Sequence, residues 1–298
     1  MRYRPIGPAG AIVSALSLSL APDPSRARAS DWVSFIYAAL ENGISGFDVR
    51  EPDPALAEGI AQAFDGVDRR LAFVAWRLGR KPGGHDFSEA ALTGQIRTAL
   101  GHAGLQYLDA VMLDDPPPGE PSAEAIDALV QLKSAGLVRF LGIAGESDAI
   151  DEHVVSGAFD ILQTPFNLTS GWRERHRLRS AGASDMAVIG YRSFPNELRA
   201  ASQAKAKVDP RRPLAGCGTY AFLESTPGWR ADEICLAYAL TEPCVASVQV
   251  RPNGVAELER LAAVVDRDMP PGLAAQIEMA RFSPQAEAAA PARTLRRA

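Results

Sequence analysis

The sequence predicts an α/β protein, a closed (β/α)8 barrel of the TIM type, from three observations. The chain has 298 residues, 47% of them hydrophobic, which is enough for one domain of barrel size. Short β-branched or apolar runs alternate eight times with longer segments of helical period. The first run lacks the glycine-rich phosphate turn that an open doubly wound sheet would place after it. Strict strand–helix alternation therefore favours the closed barrel.

The predicted elements follow one another along residues 12–265. A helix is predicted from about Ser30, with Ser30 as its N-cap, and later helices begin near Ser88 and Ser122. The predicted strands are Ile12–Leu20, Ile44–Val49, Leu71–Trp76, Leu108–Leu113, Val138–Ile143, Phe159–Gln163, Met186–Tyr191 and Val245–Val250. The helices after the last four strands are predicted at Asp148–Val155, Trp172–Ser180, Asp232–Leu240 and Val255–Val265.

Three segments lie outside this repeat. Two prolines and two glycines within residues 5–10 predict the turn of an N-terminal β-hairpin. The first 29 residues also resemble a secretory signal peptide, but the serines within the apolar run at 11–20 suit a barrel strand better. Residues 194–228 form an insertion after the seventh strand, which we expect to be a lid or a mobile segment. We expect residues 1–282 to form one barrel domain and residues 283–298, rich in Ala, Pro and Arg, to form a disordered tail.

Charge and cysteine content exclude several classes of partner. The net charge is −5, and no basic block stands out, so we expect no nucleic-acid partner. The apolar runs are too short to span a membrane, so we expect no membrane partner. Three widely spaced cysteines form no disulfide framework and predict free thiols in the cytoplasm. The acidic and histidine residues at 148–153 fit a solvated helix face better than a metal site, so no metal is expected.

Several segments resemble the aldo/keto reductase family in order and spacing, and together they cover roughly residues 1–265. The segment from Leu129 to Gly142, LVQLKSAGLVRFLG, is very close to the signature of that family's fourth helix and fifth strand. The other matching segments are Tyr3–Gly7, Val13–Leu16, Asn42–Asp48, Leu108–Pro116, Gln163–Asn167 and Ile189–Tyr191. The resemblance implies the barrel fold, NADP or NAD as cofactor, and a small carbonyl substrate.

The resemblance also implies four catalytic residues, an Asp, a Tyr, a Lys and a His, at the carboxyl ends of the strands, where barrel enzymes carry their chemistry. Asp48 matches the Asp. The Tyr position holds Asp53, the Lys position holds Arg77, and the His position holds Asp114. These four are our candidate catalytic residues, and three of them depart from the family's pattern.

The replacements change the chemistry of the site. Carbonyl reduction needs a hydride from the nicotinamide and a proton from a side chain, and a tyrosine donates near neutral pH only if a cation lowers its pKa from about 10. Arg77 stays protonated, whereas Asp53 and Asp114 ionise and accept hydrogen bonds. We therefore expect ordinary carbonyl reduction to be impaired. Two interpretations stay open, a satisfied salt-bridge network in a former active site and a new acid/base cluster of Asp48, Arg77 and Asp114.

The residues implied for cofactor binding are mixed. Gln163 and Tyr191 match the family's nicotinamide contacts, but Ala144-Gly145 replaces its Ser-Asn pair and Ser17-Leu18-Ser19 replaces its Gly-x-Gly. Both replacements weaken the expected fit, by removing hydrogen-bond groups and by adding Cβ atoms. The candidate cofactor-binding residues are Gln163, Asn167, Tyr191, Arg192, Arg251 and Asn253. Arg251 also has an alternative interpretation, as a residue that caps the barrel rim.

Three functional hypotheses follow, since function depends on the site and not on the fold. The first is an oxidoreductase that binds NADP or NAD with altered or weak activity. The second is a non-catalytic barrel that binds a small-molecule ligand or a partner. The third is a lyase or hydrolase that uses the carboxylates. His85 lies in a loop at the expected barrel mouth and is a candidate replacement for the missing His.

Overall fold

The computed structural model describes residues 1–7, 10–200 and 218–281. Its strands are β1 (Tyr3–Ile6), β2 (Ala11–Ser14), β3 (Leu16–Leu20), β4 (Gly46–Val49), β5 (Phe73–Leu78), β6 (Arg80–Lys81), β7 (Gly84–His85), β8 (Leu108–Asp114), β9 (Val138–Ala144), β10 (Ile161–Pro165), β11 (Ala187–Tyr191) and β12 (Val245–Val250). Within the described chain, eight of them close a parallel barrel in the order β3-β4-β5-β8-β9-β10-β11-β12. The fold class and the N-terminal hairpin predicted from the sequence are confirmed.

Helices pack around the barrel between successive strands. They are α1 (Ala29–Glu41), α2 (Pro54–Asp65), α3 (Glu89–His102), α4 (Ala123–Ser134), α5 (Ala149–Val155), α6 (Trp172–Ala183), α7 (Ala231–Ala239), α8 (Val255–Val264) and α9 (Leu273–Arg281). Short 3-10 helices cover Arg69–Leu71 and Gly218–Ser225. In the part of the chain that the structure describes, no helix is long and apolar enough to cross a membrane. The tail expected at 283–298 lies outside the described residues, as does part of the expected insertion, residues 201–217.

The prediction of a single first strand over Ile12–Leu20 is wrong. The segment divides at Ala15 into β2, which pairs with β1, and β3, which enters the barrel. The Ala15 amide donates to the Arg2 carbonyl at 2.9 Å, so the hairpin ladder ends at that residue. The resulting hairpin places Ile6 and Val13 against the interior of the barrel at its amino-terminal end.

Two further corrections change local detail. Leu71 belongs to the 3-10 helix and not to the third barrel strand, which runs from Phe73 to Leu78 and therefore includes Arg77. Helix α1 begins one residue before the predicted cap Ser30. Its capping residue is Arg28, whose backbone amide donates to the Asp31 carboxylate at 3.1 Å. The other strands overlap their predictions, with ends shifted by at most two residues.

The interior of the barrel is apolar at one end and polar at the other. Near the amino-terminal ends of the strands, Phe73 and Phe140 stack with ring centroids 6.2 Å apart and pack with Ile6 and Val13. A second apolar layer lies between the outer face of the strands and the helices. The buried charged and amide side chains of the interior, by contrast, come from residues at or near the carboxyl ends of the strands. The fold therefore supports a polar mouth on an apolar base.

Candidate functional site

Three charged residues meet at the polar mouth because their strands are neighbours in the sheet. Asp48 lies on β4, Arg77 on β5 and Asp114 at the end of β8. The register pairs Asp48 with Ala75, which lies two residues before Arg77 on β5. It also pairs Arg77 with Met112, which lies two residues before Asp114 on β8. Side chains two residues apart on a strand point to the same face. All three side chains therefore enter the barrel interior.

The Arg77 guanidinium forms the centre of a network. Its Nη1 donates to Asp114 Oδ1 at 2.7 Å, and its Nη2 donates to Asp48 Oδ2 at 3.1 Å and to Gln163 Oε1 at 2.5 Å. The Arg77, Asp48 and Asp114 side chains are only 5%, 6% and 7% exposed. A lysine has one nitrogen, whereas the planar fork of an arginine reaches two carboxylates at once. The replacement thus ties the Asp and His positions of the expected tetrad to one cation.

Two residues that the sequence reasoning missed complete this network. Gln249, on β12, donates from Nε2 to Asp48 Oδ2 at 2.6 Å. Arg80, in the short hairpin after β5, donates from Nε to Asp114 Oδ2 and also pairs with Glu51 at 3.2 Å. Gln249 could have been noticed as a polar residue near the carboxyl end of the eighth strand. Arg80 had no such signal, because the hairpin β6–β7 was not predicted.

Burial and charge act in opposite directions on these groups. Burial raises the pKa of Asp114, but Arg77 and Arg80 outweigh it, so that pKa lies below its ordinary value. Burial lowers the pKa of Arg77, but Asp48 and Asp114 outweigh it and raise that pKa. Both groups are therefore ionised at neutral pH, and the network is a stable set of paired charges. Asp48 Oδ1 and Arg77 Nε, both buried, have no hydrogen-bond partner among the described residues.

Asp53 lies outside the network. Its carboxylate accepts a hydrogen bond from the Leu56 amide at 2.8 Å and caps the amino terminus of α2, which begins with Pro54. The structure thus gives the residue at the Tyr position a local structural contact. Proximity in sequence to Asp48 does not bring it to the Arg77 guanidinium.

A cleft of about 760 Å³ opens above the network. Seven arginines of the described chain and several carboxylates line its wall. The arginines are Arg50, Arg77, Arg80, Arg192, Arg199, Arg230 and Arg251. Tyr191, at the end of β11, and Trp229 supply aromatic surface. Burial, followed by the charge of Glu146, raises the pKa of Tyr191 to about 12, so its phenol is protonated at neutral pH. His85 also borders the cleft, where its ring stacks on Phe87.

The nicotinamide end of the expected cofactor site fits poorly. Gln163 has both ends of its amide engaged, since Oε1 accepts from Arg77 and Nε2 donates to Asp48 Oδ2 at 3.3 Å. A Cβ at Gly145 would lie 2.2 Å from Asp115 Oδ1, so the Asp115 carboxylate occupies the space beside that backbone. Neither feature leaves a free donor and acceptor for a carboxamide. At Gln163 and Gly145, therefore, the structure offers no unengaged polar side-chain group for the expected carboxamide.

The other cofactor candidates have mostly local partners. Asn167 accepts from the Thr169 amide at 2.9 Å and donates to the Arg192 carbonyl at 3.0 Å. The Arg192 guanidinium pairs with Glu146 at 2.7 Å across the rim of the cleft. These contacts order the loops after β10 and β11, and they leave little polar capacity for a ligand.

At the far end of the cleft, the loop before α8 keeps one exposed cation. Arg251 donates to the Pro22 carbonyl at 2.9 Å, as expected for a residue of the barrel rim, and its side chain still borders the cleft. Asn253 donates to Glu257 from its backbone at 2.9 Å and from its side chain at 2.8 Å. Glu257 thereby places a carboxylate at the amino terminus of α8, where a phosphate would otherwise be favoured.

In the described ranges, neither the thiols nor the potential metal ligands form a second candidate site. Burial raises the pKa of Cys235 and, with the charge of Glu242, that of Cys244 to about 12, so neither described thiol is a nucleophile at neutral pH. Cys217 lies outside the described residues. Among the residues that the structure places, no group of three His, Cys, Asp or Glu side chains is arranged to hold a metal ion.

Comparison with known proteins identifies one family and two relatives. The model of the Aldo/keto reductase family matches residues 24–280. The chain is 25% identical over 298 residues to L-galactose dehydrogenase of Arabidopsis thaliana, covering 89% of this chain and 88% of that protein. It is 30% identical to NADH-specific methylglyoxal reductase of Escherichia coli (strain K12), over 87 residues and 27% of that protein.

The fold has close counterparts among solved structures. Aldo-keto reductase AKR11C1 from Bacillus halodurans matches with a TM-score of 0.78 in its holo form and 0.73 in its apo form. Each match covers 94% of this chain and 96% of the other, at 19% and 17% sequence identity respectively. At this identity the likeness shows the shared fold.

Proposed function

The chain belongs to the aldo/keto reductase family, and we propose that it is a divergent member whose barrel binds a small molecule without reducing carbonyls by the family's usual route. The observation that carries this proposal is the closed network around Arg77. Its guanidinium holds Asp48 and Asp114 at the positions from which the family's catalysis is expected to act. The proposal rests on what these side chains do chemically.

The Arg77 network and the nearby Tyr191 supply no suitable proton donor. A carbonyl oxygen that receives a hydride on its carbon must also receive a proton. Arg77 does not release its proton at ordinary pH, and Asp48 and Asp114 are acceptors when ionised. Tyr191 has a pKa of about 12, and no lysine borders the described part of the cleft to lower it.

The cleft nevertheless has the size of a ligand site. Its volume of about 760 Å³ lies in the range of small-molecule pockets, and it combines aromatic surface with charged groups. The hypothesis of a lyase or hydrolase is less favoured, because Arg77 pairs with both Asp48 and Asp114 and leaves neither carboxylate as an unpaired acid or base. The volume, the aromatic surface and the charged groups of the cleft all suit the binding of a small molecule.

A second candidate is an oxidoreductase that keeps NADP or NAD with altered or weak activity. Two observations favour it, the Tyr191 ring on the cleft wall and the Arg251 side chain at its far end, both at positions where the family resemblance implies cofactor contacts. The engaged amide of Gln163 and the carboxylate of Asp115 beside Gly145 count against it.

A paired binding and turnover experiment separates the two candidates. Titration with NADPH and with NADH is followed by tryptophan fluorescence, since Trp229 borders the cleft, and reduction of 4-nitrobenzaldehyde is followed in parallel. We expect no turnover above the blank without protein. Turnover that disappears in an Asp48→Asn variant purified in the same way would overturn the proposal. Saturable quenching at sub-millimolar cofactor without turnover would favour a bound cofactor in a non-reducing barrel.

A further inference from the structure

Arg50 is a cation in the mouth of the barrel that has no partner among the residues the structure describes. It follows β4 directly, and its backbone amide donates to the Leu20 carbonyl at 2.8 Å, which holds the chain at the rim. Its guanidinium borders the cleft and makes no hydrogen bond or ion pair with any residue in the described ranges. Two other arginines of the cleft, Arg77 and Arg80, are both paired with carboxylates.

The two carboxylates that act electrostatically on Arg50, Asp48 and Asp114, form their ion pairs with other arginines, and neither pairs with Arg50 in the described structure. Asp114 accepts from Arg77 and Arg80, and Asp48 accepts from Arg77 and Gln249. Burial and the neighbouring charge of Arg77 lower the pKa of Arg50. A partly buried guanidinium without a partner is costly, and an incoming anion would remove that cost.

Tyr191 provides a second unused donor on the wall of the same cleft. The phenol borders the same cleft and is electrostatically coupled to Arg50 and Arg77. Its hydroxyl has no hydrogen-bond partner within the described structure. Since its pKa is about 12, the hydroxyl carries its proton at neutral pH and is free to donate.

We propose that the Arg50 guanidinium and the Tyr191 hydroxyl form an anion-binding site for a small organic carboxylate. The inference rests on the proposed function and deepens it, because it names the chemical class of the ligand. A carboxylate presents two acceptor oxygens, which suit the fork of Arg50 together with one hydroxyl. Glu146 and Asp115 on the same wall disfavour a group with two negative charges, such as phosphate.

The test measures binding of benzoate, of the neutral analogue benzamide and of inorganic phosphate, by calorimetry at low salt and without nucleotide. We expect benzoate to bind in the millimolar range or tighter, more strongly than phosphate, and benzamide not to bind. Arg50→Gln should weaken benzoate binding by about tenfold or more, Tyr191→Phe by a smaller factor, and Arg50→Lys should retain part of the affinity. Arg179→Gln, which removes an equal charge from an exposed position on α6, should have no effect.

Several outcomes would overturn the inference. These are equal binding of benzamide, phosphate binding tighter than benzoate, no benzoate binding, and unchanged binding in both Arg50→Gln and Tyr191→Phe. Thermal melts of each variant identify a folding defect, and Tyr191→Phe keeps the test decisive if Arg50→Gln does not fold. The proposed function fails separately, through turnover of 4-nitrobenzaldehyde, because anion binding is measured without nucleotide. If the protein reduces 4-nitrobenzaldehyde and still binds benzoate, only the proposed function is refuted. If it neither reduces 4-nitrobenzaldehyde nor binds benzoate, only the anion-site inference is refuted.

Discussion

At the scale of single residues, Arg77 determines the charge pairing in the mouth of the barrel. Its side chain contacts Asp114 at 2.7 Å and Asp48 at 3.1 Å while almost fully buried. A buried pair stabilises modestly when intact, but removal of one partner leaves an uncompensated charge in a medium of low dielectric constant. Here one removal would leave two carboxylates, so the network is more costly to break than a simple pair.

Arg77→Gln is expected to lower the free energy of unfolding by about 3–5 kcal/mol at neutral pH. The reason is that Asp48 and Asp114 lose the charge that both contact. Urea denaturation followed by circular dichroism measures the loss. Arg97→Gln, at an exposed position on α3, is the matched control and should change the value by less than about 0.5 kcal/mol. Equal stability of the two variants would show that the network contributes nothing.

Asp114 should make the protein sensitive to acid. Burial raises the pKa of this group, but Arg77 and Arg80 lower the pKa by more than burial raises it, so the folded pKa lies below the ordinary 3.8. A depressed folded pKa contributes stability that is fully present above pH 3.8 and is lost as the pH falls through the folded value. Asp114→Asn should therefore show a smaller loss of stability on acidification, measured by urea unfolding from neutral pH down to about pH 2.

The control for acid sensitivity is Asp268→Asn, since the Asp268 side chain is 97% exposed. Its unfolding should follow the pH dependence of the wild-type protein. An Asp114→Asn variant with an undiminished acid response would contradict the assignment of that response to this carboxylate.

At the scale of elements, the loops after the barrel strands direct the side chains of the site. Glu51, Asp115 and Arg192 adopt left-handed φ values of 44°, 49° and 53°, close after β4, β8 and β11. Such residues cost on the order of 1 kcal/mol each and persist where the surroundings hold them. Asp115 is held by Ser147, whose hydroxyl donates to its Oδ1 at 2.7 Å. These turns bring the charged residues of successive loops to one rim.

Asp53→Ala is expected to destabilise the protein by about 1 kcal/mol, because α2 would lose its side-chain cap. Asp53→Asn should keep most of the stability, since the amide oxygen also accepts from the Leu56 amide. Chemical denaturation measures both changes. Asp127→Ala, at a solvent-exposed position in the middle of α4, is the control and should be neutral or slightly stabilising. A loss as large in Asp53→Asn as in Asp53→Ala would point to a role for the charge at this position.

At the scale of the whole molecule, the chain combines a stable apolar base with a polar mouth. The hairpin β1–β2 places Ile6 and Val13 beneath the barrel, and the helices cover its outside. The final described helix, α9, packs through Leu273 and Ile277 beside α7 and the loop before it. The charged mouth therefore lies on a separate apolar core at the other end of the barrel.

Removal of residues 282–298 should leave the free energy of unfolding unchanged within about 0.5 kcal/mol. The closed barrel and its packed helices are complete by Arg281, and the remaining segment has the composition of a tail. A chain that ends at residue 272 is the matched comparison. It loses the buried Leu273 and Ile277 and should be less stable by at least about 3 kcal/mol. A large loss in the shorter truncation alone would show that the tail contributes to the fold.

The sequence by itself determined the barrel and the positions of the charged residues, because both depend on local information. Apolar alternation and helical period are visible within a dozen residues, and they located the strand ends that carry Asp48, Asp114 and Gln163. The predicted third strand begins and ends two residues too early, because Leu71 is apolar like the strand residues but belongs to a 3-10 helix. Helix α9 and the hairpin β6–β7 lacked a clear periodic signal and were missed.

Only the tertiary structure decided which of these side chains meet. Gln249 and Arg80 join the network through contacts with Asp48 and Asp114, across sequence separations of 201 and 34 residues. Asp53, five residues from Asp48, turns away to cap a helix. The partners of a side chain depend on strand register and loop path, which bring distant residues together, and spacing along the chain does not encode them. For the same reason, the sequence gives no sign that Arg50 lacks a partner among the described residues, because Asp48 and Asp114 pair with Arg77 and Arg80 only in the folded barrel.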